Sequence, residues 1–116
     1  MEETKNKLSE RLFRFVINVL KLLRKIKFTE SNRVIIYQLS KSSTSSGANY
    51  EEAQAGSSKA DFNNKVNIAL KEMRETNYWL RIIKELQLVS DEETELLINE
   101  SEELKKILGT IVLKTK

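Results

Sequence analysis

The side chains of this 116-residue chain that could do chemistry are few. The sequence contains no His and no Cys. The common zinc sites and the Ser-His or Cys-His nucleophile pairs therefore cannot be assembled from it. Di-iron bundles use Glu-x-x-His motifs, which are absent as well. What remains is oxygen chemistry. Asn49, Glu52, Glu72 and Glu75 are the polar residues nearest to faces that the apolar pattern would bury. As a site they would hold a hard ion such as Mg²⁺ or Ca²⁺, or supply paired carboxylates for acid–base hydrolysis. As structure they would form a hydrogen-bonded network fixing helix register, with Lys71, Arg74 or Arg81 compensating the charge. The structural reading is preferred, and neither a catalytic residue nor a cofactor is expected.

A second set carries charge rather than chemistry. Lys7, Arg11, Arg14, Asn18, Lys21 and Lys25 step by 4, 3, 4, 3, 4, which lines them up on one flank of a helix. Such ridges are usually solvated faces. The sharper reading is a polyanion-binding surface, with RNA as the ligand and Lys7, Arg11, Arg14, Lys21 and Lys25 as its contacts. Net charge is only +3, but residues 1–27 carry +5 and residues 89–116 carry −3. Tyr78 and Trp79 are adjacent and so point about 100° apart on a helix. They suit a core or an interface better than base stacking, which calls for several spaced aromatics on a basic surface.

The elements that must position these residues are helices. There is no Pro and there are three Gly, in a chain that is 32% charged and 7% aromatic. That composition favours long uninterrupted helices in a single domain. The first helix is expected over about residues 5–26, with Leu8, Leu12, Phe15, Val19, Leu22 and Ile26 on one face. A second stripe, Phe13, Val16, Leu20 and Leu23, widens the apolar arc beyond one seam and implies more than one packing partner, in the bundle or between subunits. Thr29 or Ser31 caps a second helix over about 30–55. Its face continues as Ile35, Leu39, Ser42, Ser46, Asn49 and Ala53, turning small without losing period, which suits close helix approach. The competing reading of residues 41–47 is a Ser-rich loop. Gly47 within this helix marks a tight packing point or a bend.

Gly56 suits a left-handed helix end, and residues 56–58 form the next break. A third helix follows Ser58 over about 59–86, with Phe62, Val66, Ala69, Met73, Thr76, Leu80 and Ile83 as core stripe. Lys65, Ile68, Glu72, Glu75 and Trp79 lie beside it. The Ser90…Glu93 capping box opens a fourth helix over about 91–112. Its acidic first turn suits the helix dipole, its face carries Leu97, Leu104, Ile107, Leu108 and Ile111, and fraying is expected from Gly109 onwards. Short connections make this all-α chain an antiparallel up-down-up-down bundle. The polar start and the absence of a long apolar run point to a soluble, cytoplasmic protein.

Two stretches resemble a known family. SSTSSGANYEEA (42–53) is similar to S-x-S-x-x-A-N-x-x-E, placing Ser43 or Ser45, Ala48, Asn49 and Glu52 on its key positions. SKADF (58–62), with ALKE (69–72) and ETNYWL (75–80), is similar to S-x-x-D-F…I-A-x-x-E-x-x-E-T-x-x-W-L, placing Phe62, Glu72, Glu75 and Trp79. These signatures are those of the bacterial four helix bundle proteins, the 23S rRNA intervening-sequence proteins. The resemblance implies a left-handed antiparallel four-helix bundle, ring-like homopentamers and no established activity. The accessory protein of diversity-generating retroelements, a related basic bundle that works with a reverse transcriptase and RNA, adds to the expectation of an RNA or ribonucleoprotein partner. The expected role is a non-enzymatic oligomeric scaffold or adaptor that binds RNA through the basic ridge. The alternative is a protein–protein interaction module with no nucleic-acid role, and a third, disfavoured reading is an acidic-site metal-dependent hydrolase.

Overall fold

A computed structural model describes residues 2–56 and 58–116, with side chains described from Lys7 onwards and Ser57 excluded. Ser57, part of the expected 56–58 break, lies outside the described residues, as does the side chain of Lys5 at the expected start of the first helix. The chain forms four helices, α1 (Glu2–Leu23), α2 (Glu30–Gln54), α3 (Lys59–Glu85) and α4 (Asp91–Lys114). They pack into a bundle measuring 44 × 24 × 19 Å.

The caps fall where hydroxyl side chains precede each helix. Thr29 Oγ1 accepts from the Asn32 amide at 3.1 Å and Ser58 Oγ from the Asp61 amide at 3.1 Å. Ser90 Oγ accepts from the Glu93 amide at 3.3 Å. The Glu93 carboxylate accepts from the Ser90 hydroxyl and from Lys25, so only half of the expected capping box forms. α1 ends at Leu23, three residues before the expected Ile26. Lys25 and Ile26 donate to Leu22 and Leu23, three residues back, so the last turn tightens.

Two helix ends differ from expectation. Gly56 does not adopt the left-handed conformation, because α2 closes by Ala55 and Gly56 donating three residues back. Gln87, with φ 53°, takes that conformation after α3. The Leu88 amide then reaches the Ile83 carbonyl at 3.2 Å, the long bond of a Schellman closure. α4 continues through Gly109 to Lys114. The expected fraying is absent because Val112 and half-buried Ile111 still pack on the core.

Helix order follows from cross-links. Arg11 meets Glu100 and Lys25 meets Glu93, so α1 and α4 run antiparallel. Glu52–Lys65 and Ser42–Thr76 make α2 and α3 antiparallel. Asn63 with Val112 and Lys84 with Glu95 do the same for α3 and α4. α1 therefore also opposes α2, giving the up-down-up-down arrangement. Each helix packs on its neighbours in sequence, and α1 closes the square on α4 by the loosest seam.

The first α1 stripe is wholly buried, as are Ile35, Leu39, Ser42, Ser46 and Ala53 on α2. Tyr50 rather than Asn49 fills the next inward position and is 1% exposed. α3 buries its expected stripe except half-buried Phe62, and adds Leu70 and Asn77. A Cβ on Gly47 would sit 3.1 Å from Val16 Cγ2, so the glycine marks close approach of α1 and α2 with no positive φ.

Candidate functional site

The basic flank of α1 faces α4, whose carboxylates neutralise part of it. Arg11 donates from Nε to Glu100 Oε2 at 2.7 Å and from Nη2 to Oε1 at 2.8 Å, a two-pronged pair. The Glu100 hydrogen bonds hold the Arg11 guanidinium pKa above its ordinary value against the opposing effect of burial. Glu103 Oε1 lies 3.7 Å from the same Nη2. Arg14 pairs with Glu10 of its own helix at 3.1 Å. Lys25 binds Glu93 and, with the Ser90 hydroxyl, pulls that carboxyl below the usual range. Lys7 is exposed on the same flank. Lys21, with Arg24 and Lys27 beyond it, is exposed and makes no ion pair among the described residues.

Asn49, Glu52, Glu72 and Glu75 are not brought together. Asn49 Nδ2 donates to the Ser45 carbonyl and hydroxyl within α2. Glu52 pairs with Lys65 at 3.1 Å across the α2–α3 seam. Glu72 is half-buried and its backbone carbonyl accepts from Thr76, while Glu75 faces solvent. Of the expected compensating cations, Arg81 turns to Asn77 Oδ1 at 2.9 Å. Among the described residues, no three acidic side chains are grouped to hold a metal ion. Ala48 is exposed, and Trp79 is half-buried. The Trp79 indole meets Tyr78 edge-on at 5.3 Å, and its buried Nε1 has no hydrogen-bond partner among the described residues.

The buried polar ties use other residues. Thr76 Oγ1 donates to Ser42 Oγ at 2.9 Å, and Ser46 Oγ donates to the Ala69 carbonyl at 2.7 Å. Asn77 Nδ2 donates to Ser101 Oγ at 2.8 Å, and Asn63 Nδ2 bonds the Val112 carbonyl at 2.9 Å. Ser42, Ser46 and Thr76 stand in the expected stripes, so period alone could have found them. Ser101 continues the 4, 3 step from Leu97 to Leu104 and could have been found the same way, whereas Asn63 and Asn77 lie off the stripe expected for α3.

At the end of the bundle where α1 and α3 begin and α2 and α4 finish, the α1–α4 seam opens into a cleft of about 840 Å³. Leu8, Tyr50, Phe62, Ile107 and Ile111 make its floor. Lys7 and Arg11 stand on one wall, Lys106 and Lys114 on the other, with Lys59 at the head of α3. No carboxylate is among its described lining residues. Burial pushes the Tyr50 phenol pKa up. A smaller cavity of about 420 Å³ continues along the seam by Arg14, Asn18, Leu96 and Glu100.

An all-α, square four-helix bundle with cross-helix hydroxyl and amide ties and an open first-to-last seam defines the class. Within it, the chain belongs to the 23S rRNA-intervening sequence protein family, whose model matches residues 4–110. It is similar to a protein of unknown function from the S23 ribosomal protein family of Bacteroides thetaiotaomicron VPI-5482, known from a crystal structure. That similarity is 34% identity over 90% of this chain and 97% of the other, with a TM-score of 0.81. No curated protein matches. No helix among the described residues is long and apolar enough to cross a membrane.

Proposed function

We propose that this protein is a non-enzymatic scaffold or adaptor of the bacterial cytoplasm that self-associates and holds a macromolecular partner. The ring-like homopentamer that the family resemblance implies is the expected assembly. The observation that carries the reading is the outer surface. Phe13, Val34, Tyr37, Ile68 and Tyr78 present large apolar side chains between 41% and 61% exposed. Val34 and Tyr37 share one face of α2, and the Ser42–Thr76 pairing puts Tyr37 near the level of Tyr78. Exposed apolar groups on neighbouring helices favour association with another surface. Light scattering on a sizing column tests this directly: a defined oligomer is expected, and a clean monomer would refute self-association.

A second reading, RNA or ribonucleoprotein binding, is favoured by Lys21 near the end of α1 and Arg24 and Lys27 just beyond it, three exposed cations without ion pairs among the described residues. The same column run with total cellular RNA at low and high salt tests it. RNA carried at low salt and shed at high salt is expected, because phosphate contacts release counterions. Lys21→Glu with Arg24→Glu and Lys27→Glu should abolish it. Arg11 is a poor choice for this test, since Glu in its place would set two carboxylates against each other at Glu100.

A further inference from the structure

The end cleft has the features of a binding groove that none of the readings above uses. Its floor is apolar and contributed by all four helices, with Leu8 from α1, Tyr50 from α2, Phe62 from α3, and Ile107 and Ile111 from α4. Its volume of about 840 Å³ falls within the range of built ligand sites. Its rim is cationic, with no acid among the described lining residues. Lys59 and Lys114 make no ion pair among the described residues, and Lys106 makes no direct one. Lys106 acts on Glu102 only at a distance, and the direct partner of that carboxylate is Lys105. Lysines near the end of α4 also complement its dipole, which explains their sign. It explains neither Lys59 at the opposite pole of α3 nor the apolar floor between them.

The spacing of the cations selects the occupant. Lys106 and Lys114 are eight residues apart, about 12 Å along α4. A ligand with one acidic head, such as a fatty carboxylate, reaches only one of them. A helix with carboxylates two turns apart reaches both while an apolar stripe covers the floor. The smaller cavity along the same seam is lined by Glu10 and Glu100 and crossed by the Arg11–Glu100 pair, so a carboxylate-flanked helix is held at the end cleft rather than there.

We propose that the α1–α4 end cleft docks an amphipathic helix of a partner protein, its apolar face on Ile107 and Ile111 and its flanking carboxylates on Lys59, Lys106 and Lys114. This names the kind of partner and rests on the adaptor reading.

The test uses the full chain and three fluorescent peptides of about 18 residues, long enough for about 27 Å of helix. One has a Leu stripe flanked by Glu, one the same stripe flanked by Lys, and one a scrambled order of the Glu peptide. Anisotropy should show the Glu-flanked peptide binding at least tenfold more tightly than either control. Lys106→Glu with Lys114→Glu, both exposed and safe for folding, should reverse the preference between Glu and Lys flanks. Ile111→Glu should abolish binding, with circular dichroism checking that the bundle persists. Equal binding of ordered and scrambled peptides, no binding of the Glu peptide, or indifference to the lysine changes would overturn the proposal. So would displacement of the peptide by an RNA oligonucleotide or by dodecanoate. A shift in the protein's own mass caused by the lysine changes would assign the cleft to a second copy and overturn it too. An oligomer that persists while the peptide fails refutes this inference alone, whereas a monomer that binds the peptide refutes self-association alone.

Discussion

Gly47 offers a measurement of how closely α1 and α2 approach. In a helix interior, Gly→Ala is worth about 0.8–1 kcal/mol from backbone freedom alone. Here the new Cβ would sit 3.1 Å from Val16 Cγ2, inside the roughly 3.5–4.0 Å of a relaxed carbon contact. Val16 is half-buried and β-branched, so it relieves the contact only by leaving its preferred rotamer. That movement costs about 0.5–1.5 kcal/mol. The two effects cancel, so Gly47→Ala in the natural chain should change stability by no more than about 0.5 kcal/mol. In a Val16→Ala background the contact is gone, and the same substitution should stabilise by about 1 kcal/mol. The double-mutant cycle therefore predicts a coupling of about 1 kcal/mol. Urea unfolding reads it as a midpoint shift of about 0.3–1 M for slopes of 1–3 kcal/mol/M. All four proteins must be at one concentration, because association would shift the midpoints. Equal stabilisation in both backgrounds would refute the close approach.

Ser46→Ala should cost about 1 kcal/mol through the lost bond to the Ala69 carbonyl, and Ser46→Leu about 1–3 kcal/mol by overpacking, both read by urea unfolding. A cycle of Arg11→Ala and Glu100→Ala should give a coupling below about 1 kcal/mol, because both side chains remain partly solvated. A larger value would mean that the pair is dry. The Glu93 and Glu102 carboxyls are held below the usual range, by Lys25 and Lys105 respectively. The unfolded chain therefore binds their protons first, so their stabilisation is complete above the ordinary carboxylate range and is lost as pH falls through the folded values. Thermal midpoints should be flat from neutral pH down to that range and fall below it, and Lys25→Met should reduce the fall.

Much of the fold was legible because burial follows period. The α1 stripe, the small-residue continuation at Ser42 and Ser46, and the three hydroxyl caps are local patterns, and local geometry realises them. The failures have physical causes. From Ser46 the inward path can step to Asn49 or to Tyr50, and both spacings fit a helix. The expectation of a small-residue face favoured Asn49. At the end where α1 parts from α4 there is room for a phenol ring, and Tyr50 fills it, becoming the floor of the cleft. Gly56 suits a left-handed end by residue type, yet a tightened last turn closes α2 without it. The cleft itself was not legible, because its lining is drawn from all four helices, with α2 supplying only Tyr50.

The charge asymmetry had the longest reach and the least local meaning. A ridge at helical spacing shows where cations stand, and says nothing of a carboxylate 89 residues away. Folding sets the basic first helix beside the acidic fourth, so Arg11 and Lys25, which face the seam, are spent within the chain. Two groups of cations without ion pairs among the described residues stand at opposite ends of the bundle. Lys21, Arg24 and Lys27 stand exposed where α1 finishes and just beyond it. Lys59, Lys106 and Lys114 stand where α4 finishes, round a floor of Ile, Phe and Tyr. A polyanion needs only charge, so binding at the first end should fall with salt by close to one log unit in affinity per log unit in salt for each phosphate neutralised. An amphipathic helix gains most from buried apolar area, so binding at the second should keep a large salt-resistant part. Salt dependence thus assigns a partner to one end before any partner is identified.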